Sequence, residues 1–283
     1  GTVDAKTVSK SELAEMMIGK SLPKIPKRTS LPTNEICLEV SSLSGEKLDS
    51  KEPFKDINFI LNKGEILGIA GVEGNGQREL TESILGIYPL SQGTIIVDGI
   101  NIDNMATRQR RGLGINFIPE DRQTQGLVMD NSLIENAMLG RQNKDLYKTR
   151  FKSVNFKNSR KFSNKIIDQY DVRTPNSSTL ALALSGGNQQ KFVVGRELED
   201  NPGLLVASQP TRGIDIGAQS LIWEELREAR DAGLGVLLIS ADLEELLGLS
   251  DRLLVMYEGK IVKELLPEDA TPELLGAYMT GLK

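Results

Sequence analysis

A chain of 283 residues, 39% of them hydrophobic, has room for one large domain or two small ones around a real core. Its net charge of −5 argues against a broad basic surface, and so against nucleic acid as the main partner, while the single Cys37 excludes an internal disulfide framework and a cysteine metal site. There is no histidine, which removes imidazole acid–base chemistry and imidazole metal ligation, and no apolar run long enough to span a bilayer, so a soluble globular protein is expected.

Residues 1–20 read as a short helix, Ser9 to Ile18, closed by Gly19. Ser21 to Arg28 follows as a basic linker whose prolines, Pro23 and Pro26, favour an extended chain. The C-terminus echoes the opening helix, since Pro272-Glu273-Leu274 through Met279-Thr280-Gly281 resembles Ser11-Glu12-Leu13 through Met17-Ile18-Gly19. That echo makes residues 1–34 the expected tail of an upstream copy of the same domain plus its linker, with the domain proper at 35–283.

From Ile36 the pattern changes to short apolar strands. Ile36 to Val40 and Ile57 to Leu61 are expected to start the core sheet, and Leu67 to Ala70 reads as a buried strand. After it come Gly71-Val72-Glu73-Gly74-Asn75-Gly76-Gln77-Arg78 and a helix from Glu79 to about Leu85, a strand, glycine-rich loop and helix in the P-loop order. Gly74-x-Gly76 lacks the third glycine of a dinucleotide fingerprint. Thr94 to Gly99 is expected as a hairpin partner continuing the sheet, and Gly114 to Glu120 as a further strand that Asp121-Arg122 leaves.

Ser132 to Leu182 reads as mostly helical, with Ile134 to Leu139 early and Phe162 to Tyr170 late. The lysine- and arginine-rich run Lys144 to Lys165, interleaved with Tyr147, Phe151, Phe156 and Phe162, reads as an exposed helix face rather than a binding patch. Gly203 to Ala207 and Val236 to Ser240 suit a parallel sheet buried on both faces, with Gln219 to Ala229 as the crossover helix. Leu253 to Tyr257 and Lys260 to Glu264, joined at Glu258-Gly259, make a terminal hairpin.

The stretch that orders these elements is Leu184-Ser185-Gly186-Gly187-Asn188-Gln189-Gln190-Lys191, which leads into the helical spacing of Phe192 to Leu198. Ser185 to Gly187 should therefore sit at a helix N-terminus, where free N–H groups and the dipole receive an anion and two glycines let it approach. Ser-Gly-Gly-Asn alone is a common loop before a helix. The whole octet resembles the signature sequence of ATP-binding-cassette (ABC) ATPases, in the form carried by sugar and nucleoside importers. The resemblance covers roughly residues 35–283 and includes, in family order, the P-loop region, the strand ending at Glu120, the signature, Pro210-Thr211-Arg212-Gly213-Ile214-Asp215 and the strand ending at Ala241. It implies an α/β P-loop cassette with a RecA-like parallel-sheet core, an antiparallel β subdomain and a helical subdomain at about 121–190.

The same resemblance marks what is missing. A working P-loop offers a lysine to the β- and γ-phosphates and a Ser or Thr hydroxyl to Mg²⁺; this chain has Gln77 and Arg78, of which the first is uncharged and the second cannot ligate a cation. Ser208 and Gln209 stand where the family carries its acidic pair, and the loss of a general base costs about 10² to 10⁴ in rate. The switch histidine corresponds to Ala241 and the metal-contacting glutamine to Glu120, and no aromatic near Leu43 is available to stack on adenine. Catalytic residues are therefore not expected at this chain's own site. Nucleotide-contacting positions carried over by the resemblance are Gly71, Glu73, Gly74, Asn75, Gly76, Gln77 and Arg78, with no metal ligand among them.

The loss is one-sided. In this family two cassettes pair head to tail, each nucleotide lying between one P-loop and the other's signature. Ser185, Gly186, Gly187, Asn188 and Asp215, which serve the partner's site, are intact. The resemblance thus implies the second, C-terminal cassette of a tandem importer ATPase, bound to ATP with Mg²⁺ only in the site completed with its upstream cassette. Membrane permease subunits, and indirectly a substrate-binding protein, are the further implied partners, at the cytoplasmic face of the membrane. Ile118 to Arg122 with Gly126-Leu127-Val128 resembles the tandem sugar and nucleoside importers, and Ala207-Ser208-Gln209-Pro210-Thr211-Arg212-Gly213 the nucleoside branch. Leu127 to Leu139 would by the same resemblance face the permease. The competing readings are a pseudo-ATPase scaffold that binds no nucleotide, a ribose- or galactose-type importer ATPase, and a soluble ABC protein of translation or DNA repair.

Overall fold

The computed structural model describes residues 33–47, 53–142, 144, 147–148 and 154–282. The expected opening helix at Ser9 to Ile18 and the linker Ser21 to Arg28 lie outside the described residues. In chain order the elements are β1 (Ile36–Gly45), β2 (Ile57–Asn62), β3 (Ile66–Ala70), α1 (Gln77–Ile84), β4 (Leu90–Val97), β5 (Ile100–Asn101), α2 (Thr107–Gly112) and β6 (Ile115–Ile118). A single wide turn, Arg122–Gly126, precedes α3 (Leu133–Ala137), α4 (Phe156–Gln169) and α5 (Gly186–Leu198). Then come β7 (Leu204–Ser208), α6 (Ile216–Asp231), β8 (Gly235–Ser240), α7 (Leu243–Leu249), β9 (Arg252–Tyr257), β10 (Lys260–Leu265) and α8 (Pro272–Met279).

Two sheets organise these elements. The larger has the order β10-β9-β3-β8-β7-β6, with only β10 antiparallel to its neighbour. Its central strands are apolar throughout because both faces are covered. Ile66, Leu205, Val236 and Leu238 turn to the side of α5 to α8, whereas Leu67, Ile69, Val206 and Leu237 turn to the antiparallel sheet. The smaller sheet, β2-β1-β4-β5, is antiparallel. β1 and β2 therefore do not start the core sheet, as expected from their apolar residues. β2 gives the reason: Ile57, Phe59 and Leu61 are buried and Asn58 and Ile60 exposed, an alternation that fits a sheet wet on one face.

Among the described residues between Ser132 and Leu182 the helical content is lower than expected. α3 stops at Ala137, and Gly140 then adopts φ +76°, which a continuing helix cannot use. α4 begins at Phe156, six residues before the expected start, with Asn155 Oδ1 accepting the Asn158 N–H as its cap. From Asp171 to Leu180 the chain is turns, held by Asn188 Oδ1 accepting the Arg173 N–H and by an isolated antiparallel bridge between Ser132 and Leu180. α2 and α7 have no counterpart among the expected elements.

Candidate functional site

β3 is central in the large sheet and delivers Gly71 to Gly76 at its C-terminal end, the usual location of a site in an open α/β sheet. Gly76 lies at φ +100°, and a Cβ there would come within 2.2 Å of the Pro53 carbonyl oxygen, so this turn needs glycine. The loop is pinned from behind by the β9–β10 turn: the Glu258 N–H donates to Asn75 Oδ1 at 3.0 Å and the Gly259 N–H to the Asn75 carbonyl at 3.1 Å.

The first side chain of α1 turns back into the loop. Gln77 is buried, its Nε2 donates to the Val72 carbonyl at 3.2 Å, and a Cβ on Gly71 would lie 2.0 Å from that nitrogen. The amide thus occupies the interior of its own loop. Arg78 points the other way, 70% exposed, with Nε donating to Glu82 Oε1 at 2.8 Å one turn along the helix.

In front of the loop lies an open cleft of about 630 Å³, lined among others by Glu73, Arg78, Glu120, Arg122, Ser208 and Arg212. Glu120, just beyond β6, is ion-paired to Arg212, which follows β7. Gln209 adopts φ +49° and its Oε1 accepts the Ala241 N–H at 3.2 Å, joining the ends of β7 and β8. None of these groups presents a free carboxylate pair. Among the described residues no cluster of three or more Cys, Asp or Glu could hold a metal ion by itself, and the carboxylates that line the cleft are Glu73, Glu82, Glu120 and Asp121.

The signature residues form a second locus that does not line this cleft. Ser185 is exposed and caps α5, its Oγ accepting from the Asn188 backbone N–H at 3.5 Å and from Asn188 Nδ2 at 3.0 Å. The first-turn amides of Gly186 and Gly187 have no intrahelical acceptor, and α5 runs 13 residues behind them, so the residues present fit an anion such as a phosphate. Gly187 packs against the segment after β7: a Cβ would stand 2.9 Å from Asp215 Oδ2, while Asp215 itself caps α6 through the Ala218 N–H at 3.0 Å. Gln190 Nε2 donates to the Pro210 carbonyl at 2.7 Å, a second tie between α5 and that segment.

Three groups that the sequence did not single out hold the two loci in place. Arg122 reaches from the cleft to the signature, donating through Nη1 to the Arg212 carbonyl at 2.9 Å and lying so close to Gly186 that a Cβ there would meet Nη2 at 2.6 Å. Glu245, buried under the segment after β7, accepts from Thr211 Oγ1 at 2.6 Å and Trp223 Nε1 at 3.1 Å, and burial raises its carboxyl. Glu197, near the end of α5, meets Arg111 at 2.6 Å, Arg196 at 2.8 Å and Arg141 at 3.4 Å. Burial would raise this carboxyl, but the three guanidiniums pull it down to about 2. Only the bonds of Arg196 and Glu197 are local; the others span dozens of residues and have no sequence periodicity to betray them.

A parallel sheet whose central strand runs into a glycine-rich turn and helix, an antiparallel sheet on one face and a signature helix on the other define an ATP-binding cassette. The ABC transporter family model matches residues 54–212, more than half of the chain, and the chain belongs to that family. It is 41% identical over 99% of its length to the guanosine import ATP-binding protein NupO of Bacillus subtilis, covering 55% of that protein. It is 40% identical, again over 99% of its length, to the glucose import ATP-binding protein TsgD13 of Haloferax volcanii, covering 51% of it. The chain thus spans about half the length of these curated relatives. A nucleotide-free ATP-binding cassette from an ABC transporter superposes with a TM-score of 0.72 over 87% of this chain and 99% of that one, at 22% identity, which shares the fold.

Proposed function

We propose that this domain is the second, C-terminal cassette of a tandem importer ATPase, that its own P-loop does not hydrolyse ATP, and that its signature completes the ATP site held by the upstream cassette. The observation that carries the reading is the asymmetry between the two loci. At the cleft, Gln77 fills the loop, Glu120 is held by Arg212 and Gln209 by the Ala241 amide, so the positions that correspond to the family's phosphate-binding lysine, metal ligand and general base are uncharged or engaged elsewhere. At the signature, Ser185 is exposed at the N-terminus of a firmly seated helix, with Gly186 half-buried behind it and Gly187 packed against Asp215. ATP bound on a partner's P-loop would meet them with its γ-phosphate, where fixed N–H donors stabilise the charge of phosphoryl transfer. Residues 1–34 as the tail of the upstream cassette, and a helical subdomain at about 121–190, belong to the same proposal.

The two relatives, named for guanosine and for glucose import, differ by one percentage point in identity to this chain. The nucleoside branch is preferred on Ser208 and Gln209. Permease subunits, a substrate-binding protein and a place at the cytoplasmic face of the membrane come with the importer reading. No helix among the described residues is long and apolar enough to cross a membrane. The test is the ATPase rate of the tandem protein with Ser185→Arg in this domain, which puts bulk where the phosphate would lie. The proposal expects loss of most of the activity; unchanged turnover would leave a scaffold that completes no site.

A further inference from the structure

The chain is acidic overall, yet Lys144 to Lys165 carries eight Lys and Arg against the single acid Asp145. That segment is +7 in a protein of −5, so everything outside it sums to −12. The run is thus strongly net positive in an acidic chain, and α4 shows how three of its cations are presented. Lys144 is committed to Asp200, and Lys165 to Glu199. Lys157, Arg160 and Lys161 are exposed, stand at i, i+3 and i+4 on one face of α4, and have no ion-pair partner among the described residues. Asn164 continues the row, and with Phe156 these side chains line a shallow groove of about 370 Å³.

The same end of α4 exposes apolar surface. Phe156 is 56% exposed and Val154, just before the helix, 39%. The opposite face is fastened to the domain: Ser159, Ser163 and Ile166 are buried, Phe162 meets Tyr147 edge-on at 6.0 Å, and Arg141 sits 5.7 Å over the Phe162 ring. Gly195 of α5 lies against Tyr170 and Ile166 so closely that a Cβ would come within 2.8 Å of both. The backbone that carries the charged face is thus packed against the signature helix, so a ligand orders only the exposed side chains and not the helix itself.

We propose that this face of α4 docks onto an anionic phospholipid surface, with Lys157, Arg160 and Lys161 on the headgroup phosphates and Phe156 and Val154 at the level of the acyl boundary. Charge complementarity selects a polyanion, and two features select a planar lipid one. An exposed aromatic beside the cations gains from an interface that is apolar beneath its charge. A flexible nucleic acid that wraps the domain would meet the −12 of the remaining surface, whereas a flat membrane touches one face alone. The attraction falls off within a Debye length, so the contact orients the domain rather than anchoring it. This inference stands on the charge distribution and does not require the tandem reading.

The test is co-sedimentation of the chain with vesicles of equal parts phosphatidylglycerol and phosphatidylcholine, against phosphatidylcholine alone, at about 0.1 M salt. Binding to the anionic vesicles only is expected. Each cation removed near such a surface weakens binding about five-fold, so Lys157→Gln, Arg160→Gln and Lys161→Gln together should weaken it about 100-fold. Phe156→Ala should weaken it independently while leaving the charge intact. Lys157, Arg160 and Lys161 are exposed and Phe156 more than half so, and unchanged circular dichroism is the expected control. The triple variant also separates this face from the basic run Lys20 to Arg28, which it leaves in place. Equal binding to neutral vesicles, or full binding by the triple variant, would overturn the proposal. So would binding to a nucleic-acid duplex that competes with the vesicles and is indifferent to Phe156→Ala.

Discussion

Glu197→Gln removes one negative charge from the centre of three guanidiniums and leaves the shape almost unchanged. The Glu197 side chain is 1% exposed, Arg141 0% and Arg196 5%, so water cannot take over the lost charge. Arg141 retains Asp200 at 3.4 Å, but Arg196 has only carbonyl oxygens left, such as that of Asn136 at 3.2 Å. Removing one partner of a buried ion pair typically costs about 3–5 kcal/mol, because the other charge is stranded. Against a total stability of about 5–15 kcal/mol, this is a large fraction. For a domain of this size it should lower Tm by about 6–20 °C, read by near-UV circular dichroism melting and checked by urea titration at constant m. The consequence reaches the signature, since Glu197 lies on α5 and its carbonyl accepts from Asn116 Nδ2 at 2.6 Å, fixing the helix on β6. A fall of less than about 3 °C would refute the view that this carboxylate neutralises the arginines and seats α5.

Glu225 responds to pH in the opposite sense to Glu197. Burial, then the neighbouring Glu228, Glu199 and Glu224, raise its carboxyl to about 7, so the folded state holds a proton that the unfolded chain releases near 4.3. Its contribution is full below about 4.3 and is lost as pH rises to about 7; Glu225→Gln should match the parent at pH 5 and exceed it at pH 8 by about 1 kcal/mol, allowing for solvent access. Equal urea midpoints at both pH values would contradict that. Gly76→Ala should cost about 2–4 kcal/mol, from positive-φ strain and collision with the Pro53 carbonyl, so a neutral Tm would mean that the loop has another conformation.

The parallel core was legible because Leu204 to Ala207 and Val236 to Ile239 are unbroken apolar runs, and such runs occur where both faces of a strand are covered. The start of α5 was legible too: Ser185 precedes two glycines and a helical pattern, and it stands at the helix N-terminus as expected, where it is the cap. The small sheet was less legible: Ile57, Phe59 and Leu61 are buried in alternation, but the apolar Ile60 stands on the exposed face and makes the run resemble a core strand. Between Ser132 and Leu182, Asn, Ser and Lys suit an exposed helix and a turn about equally well, so local preference could not divide the segment. At the site, residue types announced what the cleft lacks. Where Gln77 and Arg122 point was not readable, since Gln77 folds back on its own loop and Arg122 reaches a carbonyl 90 residues away.

Calorimetry of ATP with the isolated chain, with and without Mg²⁺, tests the central claim most directly. A loop filled by Gln77, with no lysine for the phosphates and no acidic pair after β7, predicts no heat, or weak binding in the millimolar class that Mg²⁺ does not change. Tight Mg²⁺-dependent binding would mean that Gln77 swings out and that Arg78, Glu120 and Ser208 assemble a metal–phosphate site, and the one-sided account would fall.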